Sequence, residues 1–228
     1  MEIYNKFSTN YDELVTAEDY EENLATYLKN VTSWKNKIVY EAGIGTGRIT
    51  KIYIDKIKTC YGFDREQHML TKCSENLLAY KNRLQLKIAN NEELLIMPES
   101  ADIFIEGWSF GHTIVENEKF FKETFESIYN KINKILDGRG MIVIIESLGT
   151  NVTEPTFPLP ILKDFYALLE DHYTFKRTTL RTDYKYTNHQ EAARIMGFFF
   201  GDWMKDNIQK TKKSVIEEYT GVWIKELK

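Results

Sequence analysis

The segment Ile38-Val39-Tyr40-Glu41-Ala42-Gly43-Ile44-Gly45-Thr46-Gly47-Arg48 decides how this chain is read. Its apolar approach predicts a buried strand. Three glycines at alternate positions then let the backbone turn sharply and admit a ligand closely. Residues 49–57 carry the pattern of a helix following that turn. Tyr61-Gly62-Phe63-Asp64 reads as a second strand that ends in a carboxylate. A parallel sheet puts both strand ends on one rim, so Glu41, the glycine turn and Asp64 are expected to converge on one crevice.

The spacing of the glycines separates two kinds of ligand. Dinucleotide sites use G-x-G-x-x-G and rest the pyrophosphate on a helix N-terminus. Here the pattern is Glu-x-Gly-x-Gly-x-Gly, with the third glycine one residue early. An acid before the turn also suits a ligand bearing an ammonium group better than a pyrophosphate. An NAD-binding oxidoreductase, with Asp64 on the ribose, is therefore the weaker of the two readings.

Taken together, Glu41, the glycine triplet and Asp64 resemble the first two motifs of class I S-adenosylmethionine-dependent methyltransferases, of the small-molecule type 11 or 25 kind. The resemblance implies a role for each residue. Glu41 would anchor the ammonium of the methionine moiety, the backbone of Gly43, Gly45 and Gly47 would pass beside it, and Asp64 would take the ribose hydroxyls. Arg65 to Leu70 resembles the family's second helix, in which Met69 would cover the adenine. Asn90 and Asn91 stand where family members commonly carry Asp-Ala-Glu, so the Asn90 amide would read the adenine amino group. Glu106 and Trp108, at the end of an expected fourth strand, would also lie on the cofactor, with Phe110 towards the substrate. Phe7, Tyr11 and Asp12 resemble a Phe-x-x-x-Tyr-Asp segment that folds over the cofactor as a lid. The likeness covers residues 4–150 and thins beyond them.

The fold so implied is α/β: a Rossmann-like, seven-stranded, mostly parallel sheet with an antiparallel last strand. Helices cover both faces, and elements from both termini form a lid. The chain of 228 residues reads as one domain. Residues 1–35 would be the N-terminal lid, 36–150 the cofactor-binding core, and 151–228 the substrate-side insertion and last strands. Pro155, Pro158 and Pro160 mark a loop on the strand rim. The final two strands are expected at 175–182 and 220–227, with a helical insertion between them packed over the rim.

Composition narrows the partners. Net charge is −4, and the basic run at 205–213 reads as a solvated helix face, so nucleic acid is disfavoured. No apolar run approaches a membrane span and no export leader is seen, which makes a cytoplasmic protein the expectation. Cys60 and Cys73 lack metal spacing and read as reduced, buried thiols, so no metal is expected. Phe198-Phe199-Phe200 with Trp203 fits either lid core or a dimer surface, leaving monomer and homodimer both open.

The function expected is methyl transfer from S-adenosylmethionine to a small molecule, leaving S-adenosylhomocysteine. Alignment in a dry pocket supplies most of the rate in such a transfer, so no nucleophile triad or metal set is required. His112 is the candidate general base because histidine titrates near neutrality. Tyr184 and His189 are candidate substrate contacts. Ordinary structural roles compete: Met69, Trp108 and Phe110 can simply pack, and Asp64 can cap a helix. A protein of this fold that binds the cofactor without transferring methyl is the other alternative.

Overall fold

The computed structural model describes residues 8–228, with side chains from Tyr11 onward, so Phe7 lies outside the described residues. Strand β1 (Ile38–Ala42) sits at the centre, paired in parallel with β2 (Thr59–Asp64) on one side and β4 (Ile103–Gly107) on the other. Outside these lie β3 (Leu84–Ile88) and β5 (Gly140–Thr150), also parallel. The last strand, β9 (Glu218–Leu227), runs antiparallel to β5, and β6 (Lys176–Arg181) closes the edge antiparallel to β9. The order is β3-β2-β1-β4-β5-β9-β6. This is the Rossmann-like sheet expected from the motif.

Alternation along the strands sends successive side chains to opposite faces. Tyr40, Phe104, Ile142 and Ile144 point to one face. There they meet α4 (Phe110–Glu116), α5 (Phe121–Ile135) and α6 (Pro160–Ala167) through Phe110, Phe125, Ile128 and Phe165. Val39, Ile103, Ile105, Val143 and Ile145 point to the other face. They pack on α2 (Asn23–Val31) and α3 (Gln67–Asn76) through Leu24, Leu28, Leu70 and Cys73. Cys60 and Cys73 are both free and buried.

A third apolar cluster holds the segment between β6 and β9. It joins α1 (Ser8–Ala17), α7 (His189–Phe200) and α8 (Asp202–Thr211) to a short ribbon of β7 (Tyr184–Lys185) and β8 (Val215–Ile216). Leu14, Tyr184, Met196, Met204 and Ile208 form its centre. Among the described residues no helix is long and apolar enough to cross a membrane.

The structure corrects one local expectation. Residues 49–57 form a 3₁₀ turn at Thr50–Ile52 and further turns, not a regular helix. The run is rich in β-branched residues, which lose rotamer freedom in a helix. Thr50 and Tyr53 are also drawn inward to hydrogen-bond Glu41.

Gly43 has φ +62°, and a Cβ built there would lie 2.3 Å from the Ser109 Cβ. Gly138 has φ +71° with nothing within 4 Å of such an atom. Gly138→Ala is therefore expected to lose only the conformational term, about 1 kcal/mol. Gly43→Ala must also displace backbone and should lose clearly more. Urea unfolding of the two variants checks the ordering.

Candidate functional site

Strand order reverses between β1 and β4, and in open α/β sheets that is where ligands bind, outside the carboxyl ends of the strands. The glycine turn occupies this position. The Ile44 amide donates to the Phe63 carbonyl (2.9 Å), which holds the turn against β2. Asp64 does more. One carboxylate oxygen accepts from the Gly45 amide and the other from the Glu66 amide, each at 2.9 Å. Both oxygens keep a second lone pair for another donor. Burial raises the Asp64 pKa, and the two backbone donors oppose that rise.

Several other predicted residues gather around this turn. A Cβ on Gly45 would fill a cradle bounded by the Met69 methyl at 3.7 Å and the Tyr11 ring at 3.8 Å. Tyr11 is held in turn by the edge of Phe199 in α7. Asn91 donates to the Thr113 hydroxyl (2.9 Å) and the Ser109 carbonyl (3.3 Å), fixing the loop after β3 to α4, while Asn90 is exposed. Arg65 reaches Glu116 on α4 at 3.0 Å.

Glu41 is gripped by the segment that follows the turn. Its carboxylate is buried and turned under the glycine loop, where it accepts from the Thr50 hydroxyl (2.7 Å) and the Tyr53 hydroxyl. Tyr53 stacks on Trp34 at 4.5 Å. Burial pushes the Glu41 pKa up to about 7. In this arrangement one oxygen of Glu41 ties the segment after the turn back to β1. Phe110 is a second correction. It is fully buried between Phe104 and Phe125 in the core, because α4 turns it away from the rim.

The remaining candidates are spread out. His112 lies on α4, where loss of water around the ring, then the charge of Arg65, lowers its pKa. Tyr184 is buried in the third cluster, and His189 opens α7 beyond the Asn188 cap. Arg181 pairs with Asp183 (2.8 Å).

Arg48, to which the motif reading gave no role, and the expected Glu106 and Trp108 complete the rim. Arg48, next to Gly47, pairs with Glu18 at 2.8 Å and lies 4.0 Å over the Trp108 ring. Trp108 itself has φ +54°. Glu106 accepts from the Ser109 amide (3.1 Å), the Ser109 hydroxyl (2.9 Å) and the Phe110 amide (3.2 Å), so it caps α4. Glu146 accepts from the Gly111 amide (2.5 Å). Burial lifts Glu106 to about 7, and burial followed by the charge of Glu106 raises Glu146 well above the usual carboxylate range. Glu218 receives the Ser147 hydroxyl (2.8 Å). The signal for Arg48 was present in the quoted segment. Among the acids, Glu106 was expected here from its place at the end of the fourth strand, whereas Glu218 stands alone in the sequence and carried no signal.

Comparison with known proteins agrees with this fold. Residues 40–144 match the methyltransferase domain family. An uncharacterized methyltransferase of Geobacillus sp. strain WCH70 is 25% identical over 139 residues, covering 59% of this chain. The chain spans 64% of that relative's length. An uncharacterized methyltransferase of Anoxybacillus flavithermus is 24% identical over 83% of this chain and 88% of its own. Among solved structures, Haemonchus contortus phosphoethanolamine N-methyltransferase 2 in complex with S-adenosylmethionine superposes with a TM-score of 0.59 at 12% identity, over 99% of this chain and 59% of that one. Precorrin-8w decarboxylase of Methanobacterium thermoautotrophicum gives 0.57 at 14%, over 91% and 90%. At these identities the structural likeness speaks for the fold. The resemblance to class I methyltransferases read from the motif is borne out.

The raised pKa of Glu106 has a consequence for stability. The folded protein keeps this proton up to about pH 7, whereas a free glutamate releases it near 4.5. Between those values the folded state binds more protons than the unfolded chain, so stability falls as pH rises. Glu106→Gln removes that fall. The melting temperature of the variant relative to the native protein should rise from pH 4.5 to pH 7.5, which thermal melts across the range would measure.

Proposed function

From the methyltransferase-domain match over residues 40–144, we propose that this chain transfers a methyl group from S-adenosylmethionine to a small-molecule acceptor. The observation that carries the reading is the Glu-x-Gly-x-Gly-x-Gly turn at the reversal of strand order, with Asp64 pinning the Gly45 amide at 2.9 Å. The cradle over Gly45 between Tyr11 and Met69 fits a ligand lying close to the backbone. The cofactor supplies a methyl carbon made electrophilic by its positive sulfur.

The residues have separable tasks in this reading. Asp64 orients the ribose hydroxyls with lone pairs not used by Gly45 and Glu66. The turn of Gly43, Gly45 and Gly47 lets the backbone approach, and Tyr11, Met69 and Arg65 flank the bound nucleoside. Asn90 is free to meet the adenine edge, while Asn91 holds its loop. Trp108, stacked under Arg48, and Glu106, capping α4, shape the inner wall and exclude water. Residues 1–35 act as the lid, 36–150 as the cofactor-binding core and 151–228 as the substrate side of one domain.

Calorimetric titration with S-adenosylmethionine and S-adenosylhomocysteine tests the proposal, with Asp64→Ala alongside. Saturable binding by the native protein is expected, weakened about tenfold or more in a variant whose circular dichroism is unchanged. Absence of binding of either ligand by folded native protein overturns it, and saturable NADH binding in its place would favour the oxidoreductase reading.

A further inference from the structure

The two edges of the main sheet are finished differently. At one edge β6 carries Lys176, Arg177 and Arg181, and α2 closes on it. Asn23 donates to the Arg181 carbonyl, and the Tyr27 and Thr178 hydroxyls hydrogen-bond, each at 3.0 Å. Charges and covering side chains of this kind keep another strand from adding. At the other edge, β3 reads Leu84-Gln85-Leu86-Lys87-Ile88, with no proline or glycine and Lys87 as its one charge. The Ala89 amide donates to the Asp64 carbonyl at 3.1 Å. Alternation then turns the backbone groups of Gln85 and Lys87 toward β2 and those of Leu84, Leu86 and Ile88 outward. Among the described residues no further strand pairs with that outer side.

Apolar surface gathers at the same edge. Ile88 is 56% exposed, and Leu78 (64%) and Tyr80 stand exposed in the 3₁₀ turn that leads into β3. Leu95 and Ile96 (57% exposed) lie on the loop whose Met97 sulfur meets the Lys87 ammonium at 4.0 Å. On the α3 face, Leu86 and Ile88 line an open groove with Leu70, Thr71 and Ser74. Open backbone groups amid exposed apolar side chains mark a surface for protein contact.

The sequence of β3 complements itself. When a second β3 runs antiparallel about a two-fold axis at Leu86, Leu86 meets its own copy and Leu84 meets the partner's Ile88. These are the residues whose backbone groups face outward, so each such pair exchanges two hydrogen bonds. Their side chains share one face and make a continuous apolar row beside both α3 helices. On the opposite face Gln85 stands across from the partner's Lys87, so like charges do not meet. Sliding the register by two residues one way sets Lys87 against its own copy, and the other way sets Ile88 against the 3₁₀ turn. The antiparallel arrangement also brings the exposed Lys81, ahead of β3, toward the end of the other β3, which the exposed Glu93 follows. Such self-complementarity is what a two-fold interface requires.

We infer that this chain forms a homodimer through β3, joining two sheets edge to edge about a two-fold axis at Leu86. The contact uses neither Phe198 nor Trp203, the aromatic surface of α7 and α8 that the sequence offered as a dimer face. It stands or falls independently of methyl transfer.

Sedimentation equilibrium of the full chain at low salt tests this. The mass should rise with concentration from 26.9 kDa toward twice that value. Gln85 and Ile88 are exposed, so variants there should melt as the native protein does. Gln85→Lys sets like charges across the interface on both sides of the axis and should weaken the dimer about threefold or more. Gln85→Glu sets opposite charges there and should tighten it about threefold or more. Ile88→Lys, which puts a charge into the apolar row, should weaken it about tenfold or more. Trp203→Ser should leave association unchanged. A native chain that stays at 26.9 kDa at every concentration overturns the inference. So do Gln85 variants that shift association in one direction or not at all, and so does dissociation by Trp203→Ser. Should Ile88→Lys fail to fold, the opposite signs at Gln85 decide.

Discussion

The hydrogen bonds accepted by Asp64 hold the site together. One oxygen takes the Gly45 amide from the turn after β1, and the other takes the Glu66 amide ahead of α3. A single carboxylate thus joins the end of one strand to the turn leaving its neighbour. Hydrogen bonds to a charged group are worth about 1.5–3 kcal/mol each. Without them the turn would lack a fixed position relative to β2, and the cradle over Gly45 would lose one wall. The Ile44 amide on the Phe63 carbonyl supplies the matching backbone tie.

Beneath that turn a second acid does quieter work. Glu41 is buried and accepts from Thr50 and Tyr53, and Tyr53 stacks on Trp34. The chain from the turn to β2 is therefore anchored by side chains where a longer helix would have used backbone hydrogen bonds. This explains how a segment of only 3₁₀ and simple turns can still support a glycine-rich loop. A site meant to hold a ligand needs such support behind its first layer of residues.

The rim shows the opposite balance. Glu106 and Glu146 satisfy amides at the start of α4, and Glu218 takes the Ser147 hydroxyl. Yet among the described residues Glu18, Glu106 and Glu218 each keep one buried oxygen, and Arg48 one nitrogen, without a hydrogen-bond partner. Apolar clusters on both faces of the sheet carry the stability of the fold and offset the cost of these few polar groups.

Much of this was legible in the sequence because it is local. The apolar approach, the glycine spacing and Asp64 specify a strand, a turn and a strand end within 27 residues (38 to 64), and sheet geometry then converges them. The resemblance likewise implied the late antiparallel pair, which β6 and β9 form. The orientation of single side chains was decided only by tertiary packing. Phe110 turns into the core because α4 starts as a tight cap on Glu106, and Glu41 faces Thr50 and Tyr53 because the expected helix yields to turns. Glu106 was expected at the site, but its neighbour Glu146 stands 40 residues away in sequence, and only the pairing of β4 with β5 sets the two acids on adjacent amides of α4. Periodicity and short motifs report neighbours along the chain. Electrostatic fields are set by neighbours in space, and burial, which gives those charges their strength, exists only once the chain has folded.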